Sequence, residues 1–134
     1  MKSNNIFFTI MGIITFLCSI FGCQAQNTKV QSLSVDEFEK HIADTSVVRL
    51  DVRTLDEYAE GHIAKAINID VLKSDFESKA VSLLPKDKTI AVYCRSGKRS
   101  KKAVDILAKH DYTVIELSTG YNGWVTAGKE VTNK

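Results

Sequence analysis

Short β-branched runs alternate with capped amphipathic segments along most of this chain, and that order restricts the fold more than any other feature. Residues 47–51, 66–69, 89–93 and 113–117 read as strands, rich in Val, Ile and Thr. Each is separated from the next by a segment whose apolar residues recur at helical spacing or whose ends carry helix signals. Strands that alternate with helices imply an α/β domain with a mainly parallel central sheet and helices on both faces. In such sheets, sites gather at the carboxyl ends of the strands, where Asp51 and Cys94 both fall.

The helix boundaries are written in the sequence. Ser34 with Glu37 forms a capping box, and Leu33 with Phe38 is placed as a hydrophobic staple, predicting a helix over 35–42. Thr54 with Glu57 is a second capping box, opening a short helix that Gly61 suits at its end. Phe76, Ala80, Leu83 and Leu84 make the next apolar face, stopped by Pro85. Ala103, Val104, Ile106 and Leu107 make the last.

With 134 residues, 44% hydrophobic and 25% charged, the chain has the composition of one globular domain plus an appendage. The appendage is N-terminal. Lys2 is the only charge before Lys29, and residues 6–22 form an apolar run that is short for a membrane span and suits an export signal over 1–25. Ile20-Phe21-Gly22-Cys23 resembles a bacterial lipoprotein box, with Cys23 as the lipidated residue, whereas cleavage after Ala25 would release a soluble protein. An uncleaved N-terminal anchor is a third form. Residues 26–32 are polar and read as a tether, and 33–134 as the domain. The expected location is outside the cytoplasmic membrane, periplasmic or lipid-anchored at the cell envelope. Any membrane contact is expected only through the lipid or the uncleaved signal.

Of three cysteines, Cys18 lies within the signal and Cys23 is lipidated or removed, so Cys94 is alone in the domain. A single cysteine in an oxidising compartment makes no internal disulfide, and its chemistry is the better reason for its presence. It opens the segment Cys94-Arg95-Ser96-Gly97-Lys98-Arg99-Ser100, which turns a strand into a helix. Loop N–H groups, the positive end of the helix and the charges of Arg95, Lys98 and Arg99 all favour thiolate. Lys98, Arg99, Lys101 and Lys102 crowd a helix start, where the macrodipole disfavours cations. An anion held by the loop is the simplest compensation, which points to anionic sulfur, phosphate or arsenate. Gly97 is expected to allow a backbone that a side chain would block, and Ser96 and Ser100 either donate hydrogen bonds to the bound anion or cap the helix. His41, His62 and His110 have no partner at metal-ligand spacing, so neither metal nor cofactor is expected. The formal net charge falls from +2 to +1 without Lys2, and no basic stripe with interleaved aromatics suggests nucleic acid.

Three ordered segments together resemble the rhodanese family of sulfurtransferases. Asp51-Val52-Arg53, Glu57-Tyr58, Gly61-His62-Ile63 and 66–69 match its first signature. Residues 94–100 resemble its active-site loop, and Gly120, Trp124, Gly128 and Val131 fit its C-terminal pattern. The resemblance implies a three-layer α/β fold and a Cys94 persulfide. Sulfur would come from thiosulfate or a polysulfide or persulfide donor and pass to a thiophilic acceptor, a thiol or a protein. Arg95, Lys98 and Arg99 would attract the donor. Asp51 and Arg53 would support the loop or tie down the helix begun at Thr54, His62 would be a turn residue, and Trp124 and Tyr121 would line the pocket or join the core. Lys65, Thr119 and Glu130 depart from the pattern, standing where glycine, glycine and proline are usual. A persulfide carrier or a binding module on the same fold are alternatives. Related phosphatases and arsenate reductases resemble a longer loop, cysteine, five residues, arginine. Here only four residues separate Cys94 from Arg99, which suits one sulfur atom better than a tetrahedral oxyanion.

Overall fold

The computed structural model describes residues 29–134. The expected export signal, Cys18, Cys23 and the first part of the expected tether lie outside these residues. In chain order the elements are β1 (Val30–Leu33), α1 (Val35–Ile42), β2 (Val48–Asp51), α2 (Leu55–Glu60), β3 (Ile67–Asn68), α3 (Phe76–Leu83), β4 (Ile90–Tyr93), α4 (Arg99–Lys109), β5 (Val114–Leu117) and α5 (Gly120–Thr126). The five strands form one sheet in the order β1-β5-β4-β2-β3, and every pairing is parallel.

Both faces of this sheet are covered, as parallel strands require. Side chains alternate across a strand, and β4 shows the division. Ile90 and Val92 point to a core shared with Phe76 and Ala80 of α3 and Ala103, Val104 and Leu107 of α4. Ala91 and Tyr93 point the other way, into a second core with Phe38 and Ile42 of α1 and Trp124 of α5. All four residues of β4 are fully buried. Cys94, the next residue, therefore emerges from the most enclosed strand at its carboxyl end.

Both capping boxes form. Ser34 caps α1 and Thr54 caps α2, each with reciprocal bonds to the glutamate three residues on. The tether boundary is corrected: Val30, Gln31 and Ser32 belong to β1, which pairs with β5 from Val30↔Val114 to Leu33↔Leu117. An edge strand draws its stability from backbone hydrogen bonds and needs little apolar surface, and only Leu33 of the four is buried. The expected strand over 66–69 shrinks to Ile67–Asn68, because only Leu50 and Asp51 face it. Helix α5 begins at Gly120 and contains Gly123, a composition that masks a helix to propensity reasoning.

Candidate active site

Cys94 sits between β4 and α4, in a loop whose path depends on two glycines. Gly97 has φ +95°, and a Cβ there would collide with the carbonyl oxygen of Ser118. Gly120 has φ +64°, and its Cβ would lie 2.6 Å from the carbonyl group of Arg95. The close approach lets the first turn of α5 hold the loop from behind. Tyr121 N–H donates to Cys94 O at 2.8 Å, and Asn122 N–H donates to Arg95 O at 2.9 Å.

Cys94 is 1% exposed. Gly97 N–H donates to Sγ at 3.1 Å, and Ser100 Oγ lies 3.5 Å away. Burial is the largest single influence on the thiol and pushes its pKa up. The Ser100 hydroxyl and the N–H groups of Ser100, Ser96 and Gly97 oppose it, and together they bring the thiol below its ordinary value. The thiolate is thus favoured chiefly by hydrogen bonds from the loop, which act at contact distance, more than by the cationic side chains.

Two of the four crowded cations, Arg99 and Lys101, find compensation within the protein, whereas Lys98 and Lys102 stand in solvent without an acidic partner among the described residues. Arg99 forms a two-pronged pair with Glu57, Nη1 to Oε1 at 2.7 Å and Nη2 to Oε2 at 3.0 Å. Arg95 Nη1 reaches the same carboxylate at 3.1 Å. Lys101 Nζ meets Glu116 Oε1 at 2.6 Å. These carboxylates supply locally what the sequence assigned to a bound anion. The hydrogen bond from Arg99, helped by those from Thr54 against the opposing effect of burial, holds the Glu57 carboxyl down to about 2. Lys98 projects into solvent, as does Ser96, whose contribution to sulfur is its backbone N–H. Ser100 is fully buried, and its hydroxyl donates to Glu116 Oε2 at 2.5 Å.

The sequence places neither Glu57 nor Glu116 beside the cysteine loop. Glu57 was read as a capping residue, and it does both jobs at once: Thr54 N–H and Oγ1 donate to Oε1 at 3.2 and 3.1 Å. Glu116 is a lone acid in the apolar strand β5, and that break in pattern was the available signal.

Asp51 and Arg53 form a buried pair, 0% and 3% exposed, with Nη2 to Oδ2 at 2.7 Å. Arg53 also donates to Gly61 O at 2.6 Å and places its guanidinium 4.1 Å from the Tyr121 ring centre. It ties the end of β2 to the end of α2 and to α5. Because Tyr121 N–H holds the Cys94 carbonyl, the two supporting roles weighed for this pair belong to one chain of contacts.

The other candidates divide cleanly. Trp124 is core, edge-on to Phe38, with Nε1–H donating to Glu130 O at 2.9 Å. A backbone carbonyl suffices there, so the loss of a proline at Glu130 leaves the contact intact. Tyr121 lines an open depression of about 380 Å³ beside the loop, with Arg53, Glu57, Gly61 and Arg95. A larger groove of about 960 Å³ runs between Thr54 and Leu83 and contains no residue of the cysteine loop. His62 is buried, bonded through Nδ1 to Tyr58 O at 2.8 Å and stacked on Tyr58; it is structural, as expected, but its backbone pairs with Thr132 in an antiparallel bridge and does not form the turn. Lys65 is exposed with φ +66°, a left-handed position that explains the usual glycine. It precedes β3, beside Val47 and Val48 at the start of β2, at the opposite end of the sheet from Cys94. Thr119, with φ −96°, caps α5 in a conformation that needs no glycine.

A family model described as the rhodanese-like domain matches residues 34–127. A putative mitochondrial thiosulfate sulfurtransferase of Schizosaccharomyces pombe is 34% identical over 81% of this chain and 87% of its own length. A mitochondrial protein of Arabidopsis thaliana, HIGH ARSENIC CONTENT 1, is 37% identical over 59% of this chain, and the match spans 53% of that protein. Among solved structures, a rhodanese-related protein of Thermoplasma volcanium superposes with a TM-score of 0.70, at 30% identity, over 78% of this chain and 99% of its own.

Proposed function

The chain belongs to the rhodanese-like domain family, and on that premise we propose that it is a sulfurtransferase whose nucleophile is Cys94. The single observation that carries the reading is a buried cysteine sulfur that accepts the Gly97 N–H and lies in hydrogen-bond contact with Ser100 Oγ, surroundings that favour the thiolate. The Cys94 thiolate attacks the outer sulfur of thiosulfate, or of a polysulfide or persulfide. The donor's S–S bond breaks, and sulfite or the corresponding thiolate leaves with the electron pair. The loop N–H groups that supported the thiolate lie where the persulfide anion forms, and they stabilise it by preorganised dipoles. An acceptor thiolate then attacks the outer sulfur, and Cys94 leaves as thiolate. This is covalent catalysis in two half-reactions.

Arg95 and Arg99 are the groups that attract an anionic donor, and the depression bounded by Arg95, Glu57 and Tyr121 is the approach. The short loop between Cys94 and Arg99 favours sulfur over phosphoryl or arsenate chemistry. Near-complete cover over the sulfur supports a second reading, a carrier loaded by a partner that opens the site. The apolar run at 6–22 supports export to the periplasm or the envelope, with Cys23 lipidated or cleavage after Ala25.

Intact mass before and after thiosulfate tests the assignment. Loading adds about 32 Da, one sulfur as a persulfide, removed by cyanide and absent from Cys94→Ser. Loading in Cys94→Ser would remove Cys94 from the mechanism. Loading only from a protein persulfide would favour the carrier.

A further inference from the structure

Ser100 has one hydroxyl hydrogen and two neighbours that want it. Its Oγ lies 3.5 Å from Cys94 Sγ and 2.5 Å from Glu116 Oε2, and all three residues are buried. While Cys94 is a thiol, the arrangement is complete: Sγ–H donates to Ser100 Oγ, and Ser100 O–H donates to the Glu116 carboxylate. A thiolate has no hydrogen to give and needs one. Ser100 must then turn its hydrogen to sulfur, and Glu116 Oε2 loses a donor in a buried setting, which is costly for a charged group. Lys101 makes the exchange affordable, because its Nζ stays on Glu116 Oε1 at 2.6 Å.

We propose that Ser100 is a two-position hydrogen-bond switch between Cys94 and Glu116, through which Glu116 sets how readily the Cys94 thiol ionises. Glu116 touches no reacting atom, so it is a positioning residue. It draws the hydroxyl hydrogen away from sulfur, whereas Lys101 weakens that hold. The role rests on the reading of Cys94 as the nucleophile, but ionisation of sulfur can be measured without any sulfur transfer. The other charges bearing on the sulfur are Arg99 at the start of α4 and, through it, Glu57 from α2. The residues flanking Glu116 in the sheet, Ser32 of β1 and Val92 of β4, carry no charge. Arg99 and Glu57 are common to every variant below and cancel in the comparison.

The test is the rate of alkylation by iodoacetamide from about pH 5 to 10, read at the Cys94 peptide by mass spectrometry, since thiolate is the reactive form. In Glu116→Gln the amide can donate to Ser100 Oγ and free the hydroxyl hydrogen for sulfur. The midpoint should fall by about one unit, raising the rate below the midpoint about tenfold. Lys101→Met should move the midpoint up. In a Ser100→Ala background both shifts should largely vanish, because the switch is gone. An unchanged midpoint in Glu116→Gln overturns the proposal, and so does a shift of equal size with and without Ser100, which would be charge acting through space. If Glu116→Gln fails to fold, Lys101→Met decides, since that side chain is 63% exposed. Its shift must be present with Ser100 and absent without it. Failure of these shifts with intact sulfur loading would overturn the switch alone; failure of loading with the shifts intact would overturn only the sulfurtransferase reading.

Discussion

Replacing Glu57 by glutamine keeps the side-chain length and leaves an oxygen for the Thr54 cap, which accepts Gln as well as Glu. It removes the charge that Arg95 and Arg99 share. The carboxyl is held at about 2 in the folded protein against an ordinary 4.5. At ~1.4 kcal/mol per pKa unit this sets a ceiling of roughly 3 kcal/mol on the stability it contributes at neutral pH. Arg95 is 58% exposed and Arg99 22%, so solvent screening brings the expected cost of Glu57→Gln to about 1–2 kcal/mol. The sign follows from the depressed folded value. The contribution is whole above about 4.5 and is lost as pH falls towards about 2, so the two proteins should differ most near neutrality and converge in acid. Denaturant unfolding of both across that range measures the gap. A gap that does not change with pH would mean that packing, not charge, was lost, and no gap at any pH would refute the argument. In the same variant Arg95 and Arg99 are free to meet an anionic donor, so the apparent KM for thiosulfate should fall and its salt dependence should steepen. An unchanged KM would mean that neither arginine touches the donor.

Arg53→Met should cost about 3–5 kcal/mol, because it leaves the buried Asp51 carboxylate without its partner; thermal or denaturant unfolding measures this, and adding Asp51→Asn should recover part of the loss. Gly97→Ala should abolish sulfur loading and destabilise by about 1–3 kcal/mol from the left-handed backbone alone, more with the collision at Ser118. Loading at the normal rate in that variant would show that the Gly97 N–H contact to sulfur is dispensable.

What the sequence revealed and what it hid have separate physical causes. Both capping boxes could be read because their partners lie three residues apart. The parallel sheet followed from alternation, and the boundaries of α1 came out correctly because its cap, staple and apolar spacing agree. β1 was missed because an edge strand is held by its backbone, and three of its four residues carry no burial signal. α5 was missed because Gly120 serves its close packing against the loop and Gly123 makes room for the Thr119 side chain. The cysteine loop itself was legible, including the need for Gly97. Its electrostatic partners were not, since Glu57 is 42 positions from Arg99 and Glu116 is 16 from Ser100. Pairings at that separation exist only once β2, β4 and β5 lie side by side. The sequence therefore gave the cations without their counter-charges, and assigned the missing anion to a ligand.

That correction changes what donor binding must accomplish. A loop of unpaired cations would bind any small anion, whereas here Arg95 and Arg99 already share a carboxylate and only Lys98 of the loop cations stands in solvent without one. An incoming donor gains the paired edge of Arg99 only by displacing Glu57, which Thr54 tethers by two hydrogen bonds, whereas Arg95, 58% exposed and held by one contact, keeps N–H groups free. Two guanidinium charges against one carboxylate leave this corner net positive, so an anionic donor is still attracted, though less strongly than by unpaired arginines. Glu57 therefore weakens the pull on a donor without reversing it, which is why neutralising it should lower the apparent KM for thiosulfate. The charge that a donor meets on the proposed approach to Cys94 is thus set in part by a capping residue of α2.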